Sequence, residues 1–392
     1  MRDSAKTPTK SKAKPVFTLL ISVTVIVAAC VFGGSLSSYF ERFAVVAAGL
    51  GLPEGGRAAV QELLGSTGSS SPGSPENTAK TTQSTTQGKD GSKNDAESQA
   101  PYIANKDYLT KTPDDVAAVM AAALKELKGQ ETGGITSAKT FALSDGTESF
   151  EKISVKNTTE QTINIETLMT KGIDVTIKKD APTVLIYHTH TTESYCLTNS
   201  GTFPKGYSGR SRDESKNMVR VGNEIASELE QAGISVIHDT EIHDSSYNDS
   251  YDRSREAVER YLKEYPSIQI TLDVHRDAIH YDSKTYCRPV AEVLGKNTAQ
   301  VMILTGAEGG RVSDFPNWEQ NLDFALTLQN YGENMYAGLM RPIMFCQRKY
   351  NLDLGKYSLL LEMGTDGNTL EEAVYAGRLI GNVLATVLLD AA

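Results

Sequence analysis

Short apolar runs alternate with longer amphipathic stretches through the C-terminal half of the chain. The apolar runs predict strands at 183–188, 234–238, 268–273, 300–305 and 358–362. The amphipathic stretches predict helices at 214–232, 252–264, 317–340 and 369–389. Such alternation is typical of an α/β fold, a mostly parallel twisted sheet with helices on both faces. We therefore expect residues 181–392 to form a single catalytic domain, for which this length is ordinary.

The N-terminal part of the chain has the pattern of a membrane anchor. Residues 1–15 are polar and basic and precede the apolar stretch 16–34, which is just long enough to cross a bilayer as a helix. The basic flank predicts a cytoplasmic tail, so the rest of the chain would lie outside the cell membrane. A cleaved secretory signal and a lipoprotein modified at Cys30 are the alternatives.

Three further segments separate this anchor from the α/β domain. Residues 35–64 form a mildly amphipathic juxtamembrane segment, which is followed at 65–101 by a Ser-, Thr- and Gly-rich linker with few apolar side chains. Such a composition cannot bury enough apolar surface to fold, so we expect this linker to be disordered. Residues 102–180 predict a helix from about 112 to 128 and then short strands (Ile153, Val155, Ile163, Ile165, Val175, Ile177), which we assign to a small accessory region.

Charge and cysteine content exclude two classes of function. The formal net charge is −10 and no basic stripe is present, which argues against a nucleic-acid-binding protein. The four cysteines are widely spread without a C-x-x-C pair, so neither a cysteine zinc site nor a disulfide framework is indicated.

Two histidines follow the first predicted strand of the α/β domain. His188 and His190 are two residues apart, so on an extended chain both rings would lie on one face. Ligands of open α/β sheets bind at the carboxyl ends of the strands, so this pair suggests a metal site or an acid–base site. Solvated histidines at a polar strand end are the simpler alternative.

Two other residues complete a possible zinc set. Glu214 precedes the apolar stripe of the helix predicted at 214–232 by one turn, and His275 ends the strand that begins near 268. Two histidines and one carboxylate are a common ligand set for catalytic zinc, with a position left open for water. Glu214 could instead only complement the helix dipole. His238, His243 and His280 are not expected to bind metal.

Glu362 ends the wholly apolar strand predicted at 358–362. A carboxylate there is costly to bury without a partner, and beside a metal it could accept a proton from water as a general base. The alternative is a buried salt bridge with Arg341 or Arg348.

These residues carry a resemblance to a known family. The set His190, Glu214, His275 and Glu362 resembles the zinc-dependent N-acetylmuramoyl-L-alanine amidases of bacterial cell walls, and Glu362, Gly364 and Asn368 match an E-x-G-x-x-x-N segment of that family. More closely, three segments are similar to the stage II sporulation protein P family of endospore-forming bacteria: His188-Thr-His-Thr-Thr-Glu-Ser-Tyr195, Asp273-Val-His-Arg-Asp-Ala278 and Leu361-Glu-Met-Gly364.

The resemblance implies a membrane-anchored peptidoglycan hydrolase that cleaves the N-acetylmuramoyl-L-alanine amide, and also peptide cross-links, during engulfment at the sporulation septum. It implies Zn²⁺ held by His190, Glu214 and His275, with Glu362 as the catalytic base. His188, Glu193, Arg276 and Asn368 would contact substrate or support the ligands. It also implies stage II sporulation proteins D and M as partners. The amidases have Gly-His-Gly-Gly where this chain has Thr189-His-Thr-Thr192, so whether His188 or His190 binds zinc stays open, and we favour His190.

Two other functions remain to be weighed. The histidines could belong to a metallo-hydrolase that acts on another bond, such as an ester or a phosphate. A non-catalytic peptidoglycan-binding scaffold is the second alternative, although a pure binding module has no need of a general base such as Glu362.

Overall fold

The computed structural model describes residues 105–392. The predicted cytoplasmic tail, transmembrane helix, juxtamembrane segment and linker all lie outside the described residues.

The described chain contains seven α-helices and thirteen strands. The helices are α1 (Lys106–Thr110), α2 (Asp114–Glu126), α3 (Ile165–Met169), α4 (Met218–Gln231), α5 (Ser250–Glu264), α6 (Trp318–Met335) and α7 (Leu370–Ala391). The strands are β1 (Thr132–Lys139), β2 (Glu148–Phe150), β3 (Ile153–Asn157), β4 (Val184–Tyr187), β5 (Thr202–Pro204), β6 (Val236–His238), β7 (Ile270–Asp277), β8 (His280–Asp282), β9 (Thr285–Val293), β10 (Lys296–Ala299), β11 (Val301–Gly306), β12 (Ile343–Cys346) and β13 (Ser358–Thr365).

The main sheet has eight strands in the order β2-β3-β12-β11-β13-β7-β4-β6. Its pairs are parallel except β2/β3 and β11/β13, which confirms a mostly parallel sheet. All five strands predicted from apolar runs are present, and they are consecutive in the sheet (β11, β13, β7, β4 and β6). The last four run in the same direction, so their carboxyl ends meet at one edge of the sheet.

Helices cover both faces of this sheet, as the alternation of elements predicts. Strand residues alternate between faces. Val184 and Ile186 pack into the large core with α4, α6 and α7, whereas Leu185 and Tyr187 pack into a smaller core with Val258 of α5. Burial on both faces explains why β4 is apolar at every position.

A second sheet was not predicted. It has the order β10-β9-β1-β5, with β8 paired to β9. Its strands mix polar, charged and aromatic residues, so they lack the apolar runs that marked the main sheet. This sheet joins β1, from the N-terminal part of the described chain, to strands that follow β7.

The described part of the accessory region predicted at 102–180 contributes strands to both sheets. The helix predicted near 112–128 is present as α2, but β3 pairs with β12 and so extends the main sheet, while β1 belongs to the second sheet. Ile165, predicted in a strand, begins α3, because the Asn164 side chain accepts a hydrogen bond from the Thr167 backbone and caps a helix there.

Among the described residues one helix, α7, is long and apolar enough to cross a membrane. In this fold 94% of its most apolar window is buried against other elements. The helix therefore serves as the central core helix of the domain.

Candidate active site

Three neighbouring parallel strands, β4, β7 and β13, carry the candidate site at their carboxyl ends. Glu362 of β13 is the register partner of His275 on β7, and Tyr187 at the end of β4 is the partner of Asp273. The turn that follows β4 then places the His190 ring beside the His275 ring. Strand pairing and this turn thus bring together residues about 90 positions apart along the chain.

The His190 ring lies against the His275 ring. Their centroids are 5.3 Å apart in an edge-to-face arrangement, and Tyr247 stacks on His190 with centroids 5.0 Å apart. His190 is buried, and its Nδ1 has no hydrogen-bond partner. Burial lowers the pKa of His190 to about 4, so the ring is neutral at physiological pH and can donate a lone pair to a metal.

His188 has partners outside this pair. Its Nδ1 is 2.8 Å from the backbone oxygen of Val274, and its Nε2 is 2.8 Å from Nε2 of His238. Both nitrogens are therefore engaged within the fold. This placement favours His190 over His188 as the residue that could bind a metal.

Glu193, named from the sequence as a supporting residue, lies directly beside His275. Its Oε2 is 3.6 Å from His275 Nδ1, and only 1% of Glu193 is exposed. Burial acts to raise the pKa of Glu193, but Arg276, Arg210 and His275 lower it to about 2. The carboxylate is therefore charged, as a metal ligand must be.

Glu214 is not where the sequence pattern placed it. The helix begins at Met218 rather than at residue 214, because the Asn217 side chain accepts a hydrogen bond from the Val219 backbone and caps α4. Glu214 is exposed in the preceding turn rather than buried on the apolar face. Among the described contacts none joins it to His190 or His275. The structure places Glu193, not Glu214, beside the two histidines.

His275 is surrounded by carboxylates. Besides Glu193, Asp273 lies close by, with its Oδ1 2.8 Å from His275 Nε2. The angle between these two groups is not that of a hydrogen bond. Burial acts to lower the pKa of His275, but Asp273, Glu193 and Glu362 raise it to about 9. A bound cation would take the place of that proton in balancing the negative charge.

Glu362 is buried, and its Oε2 has no hydrogen-bond partner. Burial and the nearby carboxylates of Asp277 and Glu193 raise its pKa well above the usual range, against the opposing effects of His275 and Arg341. Arg341, a suggested salt-bridge partner, donates to Asp277 with Nη1 3.1 Å from Oδ2. Glu362 is thus a buried carboxyl whose environment favours its protonated form.

Arg276 and Asn368 have structural contacts. The Arg276 guanidinium donates to the backbone oxygens of Gly209 and Ser194, and so ties the 194–210 loop to β7. Asn368 accepts from the Thr365 backbone and donates to Pro289, which fixes the turn after β13. Both side chains therefore hold backbone segments near the site in position.

The remaining histidines have partners of their own. His238 pairs with His188, His243 Nε2 lies 2.9 Å from Asp239 Oδ2, and His280 Nε2 lies 2.8 Å from Asp366 Oδ2. That they bind no metal stays a prediction.

Sequence reasoning missed several residues around the site, among them Asp273, Tyr247 and Arg210. Asp273 had a usable signal, because it stands two residues before His275 on the same strand and so shares its face. Arg210, 2.6 Å from Asp244 and 3.5 Å from Glu193, and Tyr247 both lie in loops, where periodicity carries no information.

The site contains residue types that bind zinc, although their donor atoms do not converge on one point. Within residues 105–392 no three His, Cys, Asp or Glu side chains form a ready metal cage. Two histidines and a charged glutamate nevertheless lie side by side, with His190 Nδ1, His275 Nε2 and Glu362 Oε2 buried and unpaired. Orphaned buried polar atoms of this kind are expected where a ligand completes the site. Imidazole and carboxylate are zinc ligands.

Two solved structures resemble the chain loosely. The CwlD amidase from Clostridioides difficile, in complex with the GerS lipoprotein, aligns with a TM-score of 0.35 and 11% identity over 53% of this chain and 98% of that chain. The N-acetylmuramoyl-L-alanine amidase AmiC2 of Nostoc punctiforme aligns with a TM-score of 0.33 and 14% identity over 55% and 97%. Similarity at this level carries no functional argument.

The similarity in sequence is more direct. Stage II sporulation protein P of Bacillus subtilis (strain 168) is 31% identical over 225 residues, 54% of this chain and 52% of that protein, so the chain spans about half the length of the curated relative that it matches. Residues 72–385 match the family model described as Stage II sporulation protein P (SpoIIP). That match covers most of the sequence, and the chain therefore belongs to the Stage II sporulation protein P family.

Proposed function

We propose that this protein is a zinc-dependent peptidoglycan hydrolase of sporulation that cleaves the amide between N-acetylmuramic acid and L-alanine. The observation that carries the proposal is the meeting of His190, Glu193 and His275 beside the unpaired carboxyl of Glu362 at the ends of three parallel strands. Family membership supplies the setting, since the matching relative is a sporulation protein.

His190, Glu193 and His275 would hold the metal. When bound, zinc supplies a Lewis acid that polarises the scissile carbonyl and lowers the pKa of a water molecule toward ~7. Glu193 replaces Glu214 in the ligand set inferred from the sequence, because it is buried, charged and adjacent to His275. Arg276 and Arg210 hold the Glu193 carboxylate in place, since the Arg276 backbone N–H donates to Oε2 and the Arg210 guanidinium lies 3.5 Å from Oε1.

Glu362 transfers a proton from the attacking water to the leaving amine. Its Oε2 accepts a proton from the attacking water as the oxygen bonds to the carbonyl carbon, and the same oxygen then delivers that proton to the departing amine nitrogen as the C–N bond breaks. Burial keeps this carboxyl out of bulk water, and its register partner His275 places it beside the proposed ligands. The products are the lactyl carboxylate of the sugar and a free L-alanine amine.

The cellular setting follows from the family and from the N-terminal pattern. The apolar stretch at 16–34 would anchor the chain in the cell membrane with residues 35–392 outside, and the linker at 65–101 would let the catalytic domain reach the wall. Stage II sporulation proteins D and M are the partners proposed for it at the septum. A further activity on peptide cross-links belongs to the same proposal.

The experiment is digestion of purified sacculi by the zinc-loaded full-length chain in detergent, with the released fragments identified by mass spectrometry. We expect stem peptides that begin with a free L-alanine, and glycan strands that keep an intact lactyl carboxylate. Glu362→Gln should retain zinc but lose the release of both, because only proton transfer is removed.

Other products would point to the alternatives. Cleavage at ester or phosphate bonds without free L-alanine would indicate a metallo-hydrolase of another bond. Sacculi that are bound but not cut by the zinc-loaded chain would indicate a scaffold. Equal digestion by wild type and Glu362→Gln would contradict the role of Glu362.

A further inference from the structure

The side chains that would perform the proposed reaction have almost no exposed surface. None of these four is more than 5% exposed: His190, Glu193, His275 and Glu362. A carbonyl that is cleaved must come within about 3–3.5 Å of the attacking oxygen, and the base must lie at hydrogen-bond distance from the attacking water. A bond in peptidoglycan therefore reaches these groups only after part of the protein has moved.

The loop between β6 and α5 covers His190. The ring of Tyr247 in this loop lies parallel to the His190 ring, with an angle of 5° between the planes and centroids 5.0 Å apart. Tyr247 is 48% exposed, so its ring covers the imidazole on one side while about half of the side chain faces solvent. Every residue from 245 to 249 is exposed, whereas Asp244 and Ser250 on either side are buried. The cover over His190 is thus a short surface segment.

Both ends of this segment are fixed. Asp244 accepts hydrogen bonds from the Thr192 backbone at 3.1 Å and from the Thr192 hydroxyl at 2.6 Å, and its Oδ2 lies 2.6 Å from Arg210 Nη1. At the other end α5 begins at Ser250, directly after Asp249, whose φ of 64° lies in the left-handed region. Residues other than glycine adopt this region at a cost, and hinges are commonly found at the ends of elements. Asp249 therefore has the position and the backbone strain of a hinge.

One side chain holds the segment in place. The Arg253 guanidinium, near the start of α5, donates to the backbone oxygens of His243, Ser246 and Asn248. Ser246 and Asn248 stand on either side of Tyr247 in the chain. These hydrogen bonds, together with the contact between the two rings, keep Tyr247 over His190.

We propose that residues 245–249 form a lid that is closed over His190 in this structure, that Arg253 latches the lid, and that the lid opens to admit the substrate. Exposed segments with few buried contacts are the parts of a fold that open at the lowest cost, and active-site lids are drawn from them. The inference rests on the proposed function for what the lid guards, and it adds a conformational step to the proposed chemistry.

A fixed cover is the competing explanation, in which Tyr247 never leaves His190 and the substrate approaches from another side. Removing the latch separates the two cases, because Arg253→Gln leaves Tyr247 in place. A lid would then open more often, whereas a fixed cover would still protect His190. The chain offers two matched controls. Tyr281→Ala removes a tyrosine of equal exposure, 48%, from the second sheet, and Arg260→Gln removes another arginine of α5.

The test measures how fast diethyl pyrocarbonate modifies individual histidines of the full-length, metal-free chain in detergent, with the modified positions identified by mass spectrometry. In the wild type we expect modification of His190 to be faster than that of His188, which is fully buried. Arg253→Gln and Tyr247→Ala should accelerate modification of His190 about 3- to 10-fold, because the closed state is populated less. The rate at His188 should stay unchanged in both, and the two control variants should match the wild type.

Three results would overturn the lid. An unchanged rate at His190 in Arg253→Gln, with a faster rate in Tyr247→Ala, would show a fixed cover. Parallel acceleration at His188 and His190 would show that the whole fold has loosened. If Arg253→Gln fails to fold, the wild type decides alone, since equal modification of the two histidines would contradict an opening over His190.

Digestion of sacculi by the same proteins, loaded with zinc, connects the opening to substrate entry. Arg253→Gln should lower KM about 2- to 5-fold with kcat nearly unchanged, because a larger fraction of the chains is competent to bind. An unchanged KM together with faster modification of His190 would contradict the role of the lid in substrate entry. Opening over His190 in a wild type that digests no sacculi would contradict the proposed function and leave the lid standing.

Discussion

Two histidine pairs, a lower pair of His188 with His238 and an upper pair of His190 with His275, differ in how their nitrogens are satisfied. His188 and His238 contact each other through Nε2, and His188 Nδ1 is held by the Val274 backbone. The His190 and His275 rings meet edge to face, and His190 Nδ1 and His275 Nε2 are buried without hydrogen-bond partners. The nitrogens of His188 in the lower pair are satisfied within the fold, whereas the upper pair keeps unpaired nitrogens.

The contrast shows why histidine spacing alone is a weak signal for a metal site. Two histidines separated by one residue are equivalent in the sequence, yet the chain turns after β4 and the two rings have different partners. What separates them is the cost of leaving a buried polar atom unpaired, about 1–3 kcal/mol each.

The largest effect should come from removing an imidazole ring of the upper pair. His275→Ala should lower sacculus digestion on the order of 10³-fold or more, because both metal binding and the environment of Glu362 are lost. His238→Gln, which removes the partner of His188 in the lower pair, should keep one zinc per chain and most of the activity. Zinc content and released peptide are measured together. Equal loss in both variants would remove the distinction between the pairs.

The two glutamates give the next test. Glu193→Gln should lose zinc and activity nearly as fully as His275→Ala, because an amide replaces a charged ligand. Glu214→Gln should match the wild type in both, because Glu214 is exposed before α4. Elemental analysis of the two purified proteins decides between them. Zinc retained in Glu193→Gln and lost in Glu214→Gln would restore the ligand set predicted from the sequence.

A moderate effect is expected from Gly222→Ala under the lower pair. A Cβ at this position would meet His238 Nε2 at 2.5 Å and His188 Nε2 at 2.8 Å. Alanine usually stabilises a helix relative to glycine, but here crowding should cost about 1–3 kcal/mol. The loss should appear as a lower midpoint in urea unfolding, with zinc affinity close to that of the wild type. A higher midpoint would show that the imidazoles of His188 and His238 move away from the added methyl group at little cost in stability.

The smallest effect concerns Asp323 on α6, whose buried Oδ1 has no hydrogen-bond partner. Burial raises the pKa of Asp323 to about 6, with Lys171 opposing and Glu319 assisting. The folded protein therefore holds this proton at pH values where the unfolded chain, with a pKa near 3.8, has lost it. Stability should fall as pH rises from about 4 to about 6.

Asp323→Asn should remove that penalty. We expect a melting temperature higher by a few degrees at pH 8 and about equal to that of the wild type at pH 4, with activity unaffected. Thermal melts at the two pH values test it. A variant that is less stable at pH 8 would show that the charged form has a favourable partner.

Much of the main sheet is predictable because its strands are buried on both faces. β4 is apolar throughout, β13 contains the apolar run 359–361 and β7 begins with apolar residues at alternate positions, and the order of these strands places His190, His275 and Glu362 at one edge. The second sheet is not predictable in this way, because β9 places Arg288 and Pro289 among its apolar residues and so resembles a loop.

The helix boundary near Glu214 and the position of Glu193 have one physical origin. The apolar stripe of α4 continues backward by periodicity past its true beginning, whereas the helix begins at Met218, where the Asn217 side chain accepts a hydrogen bond from the Val219 backbone. Glu193 lies in the loop after β4, where no period applies, and its position depends on Arg276 and Arg210, which are brought to it only by the complete fold.

The most direct test of the central claim is anomalous diffraction at the zinc absorption edge from crystals of the zinc-loaded protein. The account predicts one strong peak in the α/β domain, about 2.0–2.2 Å from donor atoms of His190, Glu193 and His275. A peak beside Glu214 or between His188 and His238, or no peak in a protein shown to digest sacculi, would contradict it.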